Sequence, residues 1–230
     1  MADKWFIIGG RTTAPWGGGA SFLSLFEDQL RELNQFARTL DEADVVLINL
    51  TPGTYAKLTR YIRKNWKRIK SKRVVSRIDG PVSLTSWNTR RQIYDYFLFH
   101  FSNHLSSGII FQSRWSLERY KELFGRVKSN PIVIHNGAQK ALTQSHRRQN
   151  KNDRLTILNT SWSDNCMKGY RTISWLASKL DPGSFEVKFA GNPFGRSESV
   201  TNLGVLNKIE LYEQLSSADV FIAPSLNESC

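Results

Sequence analysis

Short apolar runs bounded by glycine, proline or polar residues recur along this chain, and between them apolar residues fall at helical spacing. Trp5-Phe6-Ile7-Ile8, closed by Gly9-Gly10, is the first such run; its length and its turn residues predict a buried strand. A glycine-bearing loop spans Arg11 to Ala20. Ser21 is then placed to cap a helix carrying Phe22, Phe26, Leu30, Leu33 and Ala37 on one face. Asp44 to Asn49 predicts a second strand, cut by Pro52-Gly53. Leu58, Ile62, Trp66 and Ile69 mark one side of the following helix. Further strands are predicted from Arg73 to Ile78, from Ser107 to Ser113, and from Pro131 to Gly137, with a helix from Ser116 to Phe124. Strands alternating with helices imply a parallel sheet covered on both faces.

Apolar periodicity stops between Ala138 and Asp153, where Gln144-Ser145-His146-Arg147-Arg148-Gln149-Asn150 is polar throughout, and a linker is expected there. The pattern restarts with strand Leu155 to Leu158, helix Gly169 to Leu180 and strand Phe185 to Gly191. It continues through a short strand at Asn202 to Val205, helix Lys208 to Ser217 and strand Val220 to Ala223. The predicted fold class is α/β, with Rossmann-like doubly wound domains at residues 1–137 and 154–230 joined by 138–153. The second is expected to be incomplete, because such a domain normally closes with further strand and helix units. Its uncovered helix face, including Ile209, Tyr212 and Leu215, then predicts self-association through that end.

Composition adds one feature to this picture. The formal charge is +12 over 230 residues, and nine basic residues with no acidic one lie between Lys57 and Arg73, so an anionic partner is expected on that surface. Solvated cations are the default reading of such a helix. Adhesion to an anionic membrane surface ranks next, and nucleic acid ranks last because no binding motif accompanies the charge. Cys166 and Cys230 have no paired spacing and no histidine cluster nearby, which supports neither a disulfide framework nor a metal site. His100 and His104 share a helical face, but Phe101 stands where a zinc-protease motif needs glutamate. The apolar start is too short for a signal peptide or a span, and a cytoplasmic protein is expected, at most peripheral on a membrane.

Several residues sit where a phosphate- and sugar-bearing ligand could be held. Gly17-Gly18-Gly19 precedes a helix, where backbone amides and the helix dipole favour an anion. The G-x-G-x-x-G spacing of nicotinamide enzymes is absent. Lys168-Gly169 opens a predicted helix, and Pro224-Ser225 with Glu228 follows a strand's carboxyl end, where open α/β sheets place ligands. Asp79, after Arg77 and before Gly80-Pro81, reads either as a carboxylate for hydroxyls and proton transfer or as the start of an Asx turn. Arg114 stands at a helix start in the same domain.

Together, Gly17 to Gly19, Lys168-Gly169 and Pro224 to Glu228 resemble family 4 glycosyltransferases, enzymes of the GT-B fold in which two Rossmann-like domains face a cleft. Arg77 to Pro81 and the Asn136-Gly137 turn add weaker support. The resemblance implies transfer of a sugar from a nucleotide-sugar donor to a glycan or lipid-linked acceptor, with retention of configuration. The donor is a co-substrate, and neither a cofactor nor an obligatory metal is implied. It also assigns Gly17, Gly18, Gly19, Lys168, Gly169, Ser225 and Glu228 to the donor, Glu228 with a part in catalysis. By position alone, Asp79 is the other candidate for catalysis, and Arg77, Asp79 and Arg114 are candidates for the acceptor.

This chain departs from the family in two places. Ser161-Trp162-Ser163 stands where an arginine is expected, and the second glutamate of the E-x7-E motif would fall beyond Cys230. An alternative therefore stands beside the enzyme: a truncated, non-catalytic relative that binds acceptor or an anionic membrane surface.

Overall fold

Every strand pairing that the computed structural model describes is parallel, over residues 2–9, 18–50, 54–85, 89–137 and 154–226. That follows from runs such as Val45-Val46-Leu47-Ile48, buried along their whole length and so needing cover on both faces. The chain divides into two compact units after Gly137.

In the first unit the sheet order is β1 (Trp5–Gly9), β2 (Val45–Asn49), β3 (Arg73–Ile78), β4 (Gly108–Phe111), β5 (Asn130–Val133). Helices α1 (Gly18–Glu32), α2 (Tyr55–Lys64), α3 (Trp66–Lys70), α4 (Val82–Thr85), α5 (Gln92–Leu105) and α6 (Arg114–Phe124) connect the strands. Ile8, Val46, Ile48, Ile62, Ile69, Phe99, Phe111 and Tyr120 form the core. On its outer edge β1 meets a single bridge: Trp5 N–H donates to Gln35 O at 2.8 Å and Ala37 N–H to Trp5 O at 2.9 Å. The chain therefore leaves β1 on one side and lays β2 on the other.

Local chemistry moves several element ends from where periodicity alone puts them. Helix α1 begins at Gly18, ahead of Ser21. The basic run forms two helices, because Asn65 turns its Nδ2 back onto Tyr61 O at 3.0 Å, a side-chain bond that competes with continuing the helix. Strand β5 ends at Val133 because its partner β4 ends at Phe111, leaving one more bond, from Ile134 N–H to Phe111 O. Helix α4 takes its N-terminal partner from another helix. The Asp95 carboxylate of α5 accepts from Val82 N–H, Ser83 N–H and the Ser83 hydroxyl at 2.9, 2.8 and 2.6 Å. Burial raises the Asp95 carboxyl above its ordinary pKa, against the lowering effect of those three donors.

The second unit has the order β8-β7-β6-β9, from β6 (Leu155–Ser161), β7 (Phe185–Gly191), β8 (Thr201–Gly204) and β9 (Val220–Phe221). Helix α7 (Tyr170–Ala177) follows β6, and α8 (Lys208–Ser217) precedes β9. Ile157, Tyr170, Ile173, Val187, Phe189 and Val200 pack as its core. Asn207 and Glu210 close a reciprocal capping box at the start of α8. Here the order reverses, with β7 and β9 on opposite sides of β6. Gly191 ends β7 at φ +121°, and a Cβ there would lie 1.9 Å from Ser161 O, so no other residue fits. Ile209, Val220 and Phe221 are exposed. No described helix is long and apolar enough to cross a membrane.

Candidate functional site

In the first unit the polar residues ending β2, β3, β4 and β5 converge on one guanidinium. Arg77 retains 2% of its accessible surface. Its Nη1 donates to Asn49 Oδ1 at 2.9 Å and to Asp79 Oδ1 at 2.6 Å, and its Nη2 to Gln112 Oε1 at 3.0 Å and Asn136 Oδ1 at 2.9 Å. Asn136 Nδ2 closes the ring by donating to Gln112 Oε1 at 2.9 Å. Above the guanidinium lies the Phe22 ring of α1, 4.2 Å from Arg77 Cζ to the ring centroid. Asp79 is the anion of this network and keeps 36% of its side chain exposed. One carboxylate oxygen is thus fixed by Arg77 while the group as a whole reaches solvent. The Ser116 hydroxyl donates to Asp79 O at 3.1 Å and Ser113 Oγ accepts from Ser116 N–H at 3.1 Å, which sets the start of α6 beside Asp79. Arg114, its first residue, is exposed.

The three residues expected at the acceptor are therefore neighbours with different parts. Asp79 and Arg114 face solvent at one end of the sheet. Arg77 lies beneath them, buried, and orients Asp79. Asp79 does not open an Asx turn into α4, whose first amides are taken by Asp95. Asn136, one of the two residues of the turn that supports the resemblance, holds Arg77.

In the second unit the residues that follow β6 meet those that follow β9, at the reversal of strand order. Cys166–Lys168 forms one 3-10 turn whose N-cap, Asn165, accepts from Met167 N–H at 3.0 Å. Gly169 at φ +78° then breaks the turn from α7, so Lys168-Gly169 precedes the α-helix where the sequence predicts its opening. A Cβ on Gly169 would sit 2.5 Å from Pro224 O, so the glycine lets the two segments touch. Leu226 N–H donates to Met167 O at 2.9 Å, and Asn159 Nδ2 to Ile222 O at 2.7 Å. Lys168 and Ser225, both half-buried, are brought together by this contact at the end of the sheet where ligands bind in open α/β folds. The loop between them and β6 is closed on itself. The Ser161 hydroxyl donates to Ser163 O at 2.7 Å and Asn192 Nδ2 to Trp162 O at 2.8 Å.

Gly17 and Glu228 lie outside the described residues. Gly18 and Gly19 are the first two residues of α1. Among the described residues no group of three or more His, Cys, Asp or Glu is placed to hold a metal.

Residue pattern alone does not reveal Asn49, Gln112 and Asn136 as one network. A signal is nonetheless present: each is an amide at or just after the end of an apolar strand. Two buried amides keep an unused group, since Asn49 Nδ2 and Asn159 Oδ1 find no hydrogen-bond partner. Asn159 stands at the strand reversal of its unit.

No family model and no curated protein matches this sequence. Solved structures do. The chain is similar to HepE of Anabaena, solved with UDP and glucose, with TM-score 0.67 and 12% identity over 99% of this chain and 76% of that one. It is equally similar to WaaG, a glycosyltransferase involved in lipopolysaccharide biosynthesis, with TM-score 0.67 and 12% identity over 98% of this chain and 76% of that one. TarM follows at TM-score 0.53 and 13% identity, over 90% and 40%. The class these likenesses define is one of fold: α/β of the GT-B type, built from two Rossmann-like domains. This chain spans about three quarters of the first two relatives' length.

Removing Arg77 takes a charged donor from four polar side chains. Arg77→Met is expected to cost about 3–5 kcal/mol in urea unfolding of the whole chain, the range for breaking a buried charged network from one side. A loss under about 1 kcal/mol would show that the network does not hold the strand ends.

Proposed function

We propose that this chain carries the donor- and acceptor-binding elements of a glycosyltransferase that moves a sugar from a nucleotide-sugar to a glycan or lipid-linked acceptor. The observation that carries this reading is the meeting of Lys168-Gly169 with Pro224-Ser225 at the strand reversal of the second unit. An ammonium there can neutralise the donor phosphates as the bond from the sugar's anomeric carbon to phosphate oxygen breaks. Ser225 and Glu228 would orient the sugar. Gly17 to Gly19 would offer backbone amides to an anion at the start of α1. Asp79, aimed by Arg77, would accept a hydrogen bond from the acceptor hydroxyl and favour its attack, with Arg114 beside it. Resemblance to family 4 supports retention and a metal-free diphosphate site.

A second reading is favoured by a specific observation. The loop after β6 presents Ser161-Trp162-Ser163, with the Ser161 hydroxyl turned onto its own loop and no cation where the resembling family has arginine. A non-catalytic relative would keep the fold and bind donor weakly or not at all.

Titration calorimetry with UDP, GDP and ADP separates the two. The transferase reading expects saturable binding of one of them, weakened about ten- to a hundredfold in Lys168→Ala, the worth of one hydrogen bond to a charged group. Absence of saturable binding by all three would favour the second reading.

The basic surface fits a lipid-linked acceptor. Lys57, Arg60, Arg63, Lys64, Lys67 and Lys70 are exposed on α2 and α3, and Trp66 among them is 42% exposed. Arg68 and Arg73 are instead paired with Asp41 and Asp3. An exposed indole amid cations suits the interface of an anionic bilayer. Flotation is expected with vesicles containing phosphatidylserine but not with phosphatidylcholine alone, and Trp66→Ala with Lys67→Glu should abolish it. Equal recovery on both vesicle types would contradict this placement.

A further inference from the structure

The second unit holds a recess that the donor site does not use. It lies between α7 and the loop after β7, encloses about 460 Å³, and is lined by Tyr170, Arg171, Ser174, Trp175, Phe194 and Arg196 with Ser178 and Ser197 at its rim. Arg171, Ser174, Trp175 and Ser178 fall three and four residues apart, so α7 presents them as one stripe. The floor is rigid. Tyr170 packs edge-on against Phe189 at 4.9 Å, and its hydroxyl donates to Asn202 Oδ1 at 3.4 Å.

We propose that this recess binds an acidic saccharide. Two aromatic rings reach solvent here, Trp175 at 63% and Phe194 at 36% exposure. The Arg171 guanidinium stands 5.1 Å from the centroid of the Phe194 ring. Neither Arg171 nor Arg196 forms an ion pair among the described residues, and no carboxylate lines this recess, although Glu198 lines the adjoining one with Arg196. A pair of guanidinium groups with no internal acid is complementary to a carboxylate or phosphate, which arginine grips with two parallel bonds. The aromatic faces suit the C–H face of a pyranose ring, Ser174 and Ser197 supply hydroxyls to match its own, and Ser178, whose hydroxyl donates to Trp175 O at 2.7 Å, can accept. The recess volume falls in the range of small-molecule sites.

Single-stranded nucleic acid would also use aromatic rings and arginines, but it needs a cationic track along the strand. This unit has none. Its described residues 154–226 hold seven Lys and Arg against seven Asp and Glu, a net charge of zero.

The test is amide-resolved NMR titration of the whole chain with digalacturonic acid, alongside maltose, inorganic phosphate and an oligouridylate. Saturable shifts confined to residues 171–178 and 194–197 are expected from digalacturonic acid, with maltose about tenfold weaker, the worth of one charged hydrogen bond. Trp175→Ala and Arg196→Gln should each weaken binding about tenfold while leaving the melting temperature unchanged, as surface substitutions do; Arg171→Gln provides an independent third variant. Absence of saturable shifts, equal binding of maltose, or equal binding of phosphate or oligouridylate would overturn the proposal. UDP binding at the strand reversal is read at other residues, so the two sites succeed or fail separately.

Discussion

Taking a guanidinium out of water costs several kcal/mol even after the protein relaxes around it, and only well-aligned acceptors offset that cost. Arg77 has four, each from the carboxyl end of a different strand or the residues just after it, with the Phe22 ring above. If the ends of β2, β3, β4 and β5 were not in register, some of these bonds would be lost and the charge would be left uncompensated. The network therefore fixes the end of the sheet where Asp79 stands. It also explains how Asp79 remains oriented while partly exposed, since one of its oxygens is tied to a side chain that cannot move.

The second unit reaches a comparable result with backbone rather than charge. Gly169 and Gly191 occupy conformations with positive φ, and at each a side chain would strike a neighbouring carbonyl. Those two close approaches bring the loops after β6, β7 and β9 together at one end of the sheet. Lys168 and Ser225 become neighbours as a consequence. The proposed phosphate site rests on the strand reversal, the touching loops and the lysine together.

Much of this architecture is legible in the residue pattern alone. Alternating apolar runs and helical stripes place the strands and the parallel sheets, because burial on both faces leaves a pattern in residue type. Element ends are less legible where a side chain decides them, as Asn65 does between α2 and α3 and Asp95 does at the start of α4. The second of these signals is not local: Asp95 lies 13 residues from Val82, whose amide it takes. Arg77 is visible in the sequence as a residue near the site, but not as its buried support, since depth depends on four strands meeting. The exposed Trp175 and Phe194 give no sequence signal at all, because an aromatic near apolar neighbours ordinarily reads as core.

The most direct measurement is an amide chemical-shift map of the whole chain on addition of each of UDP, GDP and ADP. The account predicts that one of them shifts residues 166–169 and 222–226 together, because a diphosphate seated beside Lys168 must perturb both segments that meet at Gly169. Shifts confined to other residues, or none with any of the three, would contradict the assignment of the donor site to that strand reversal.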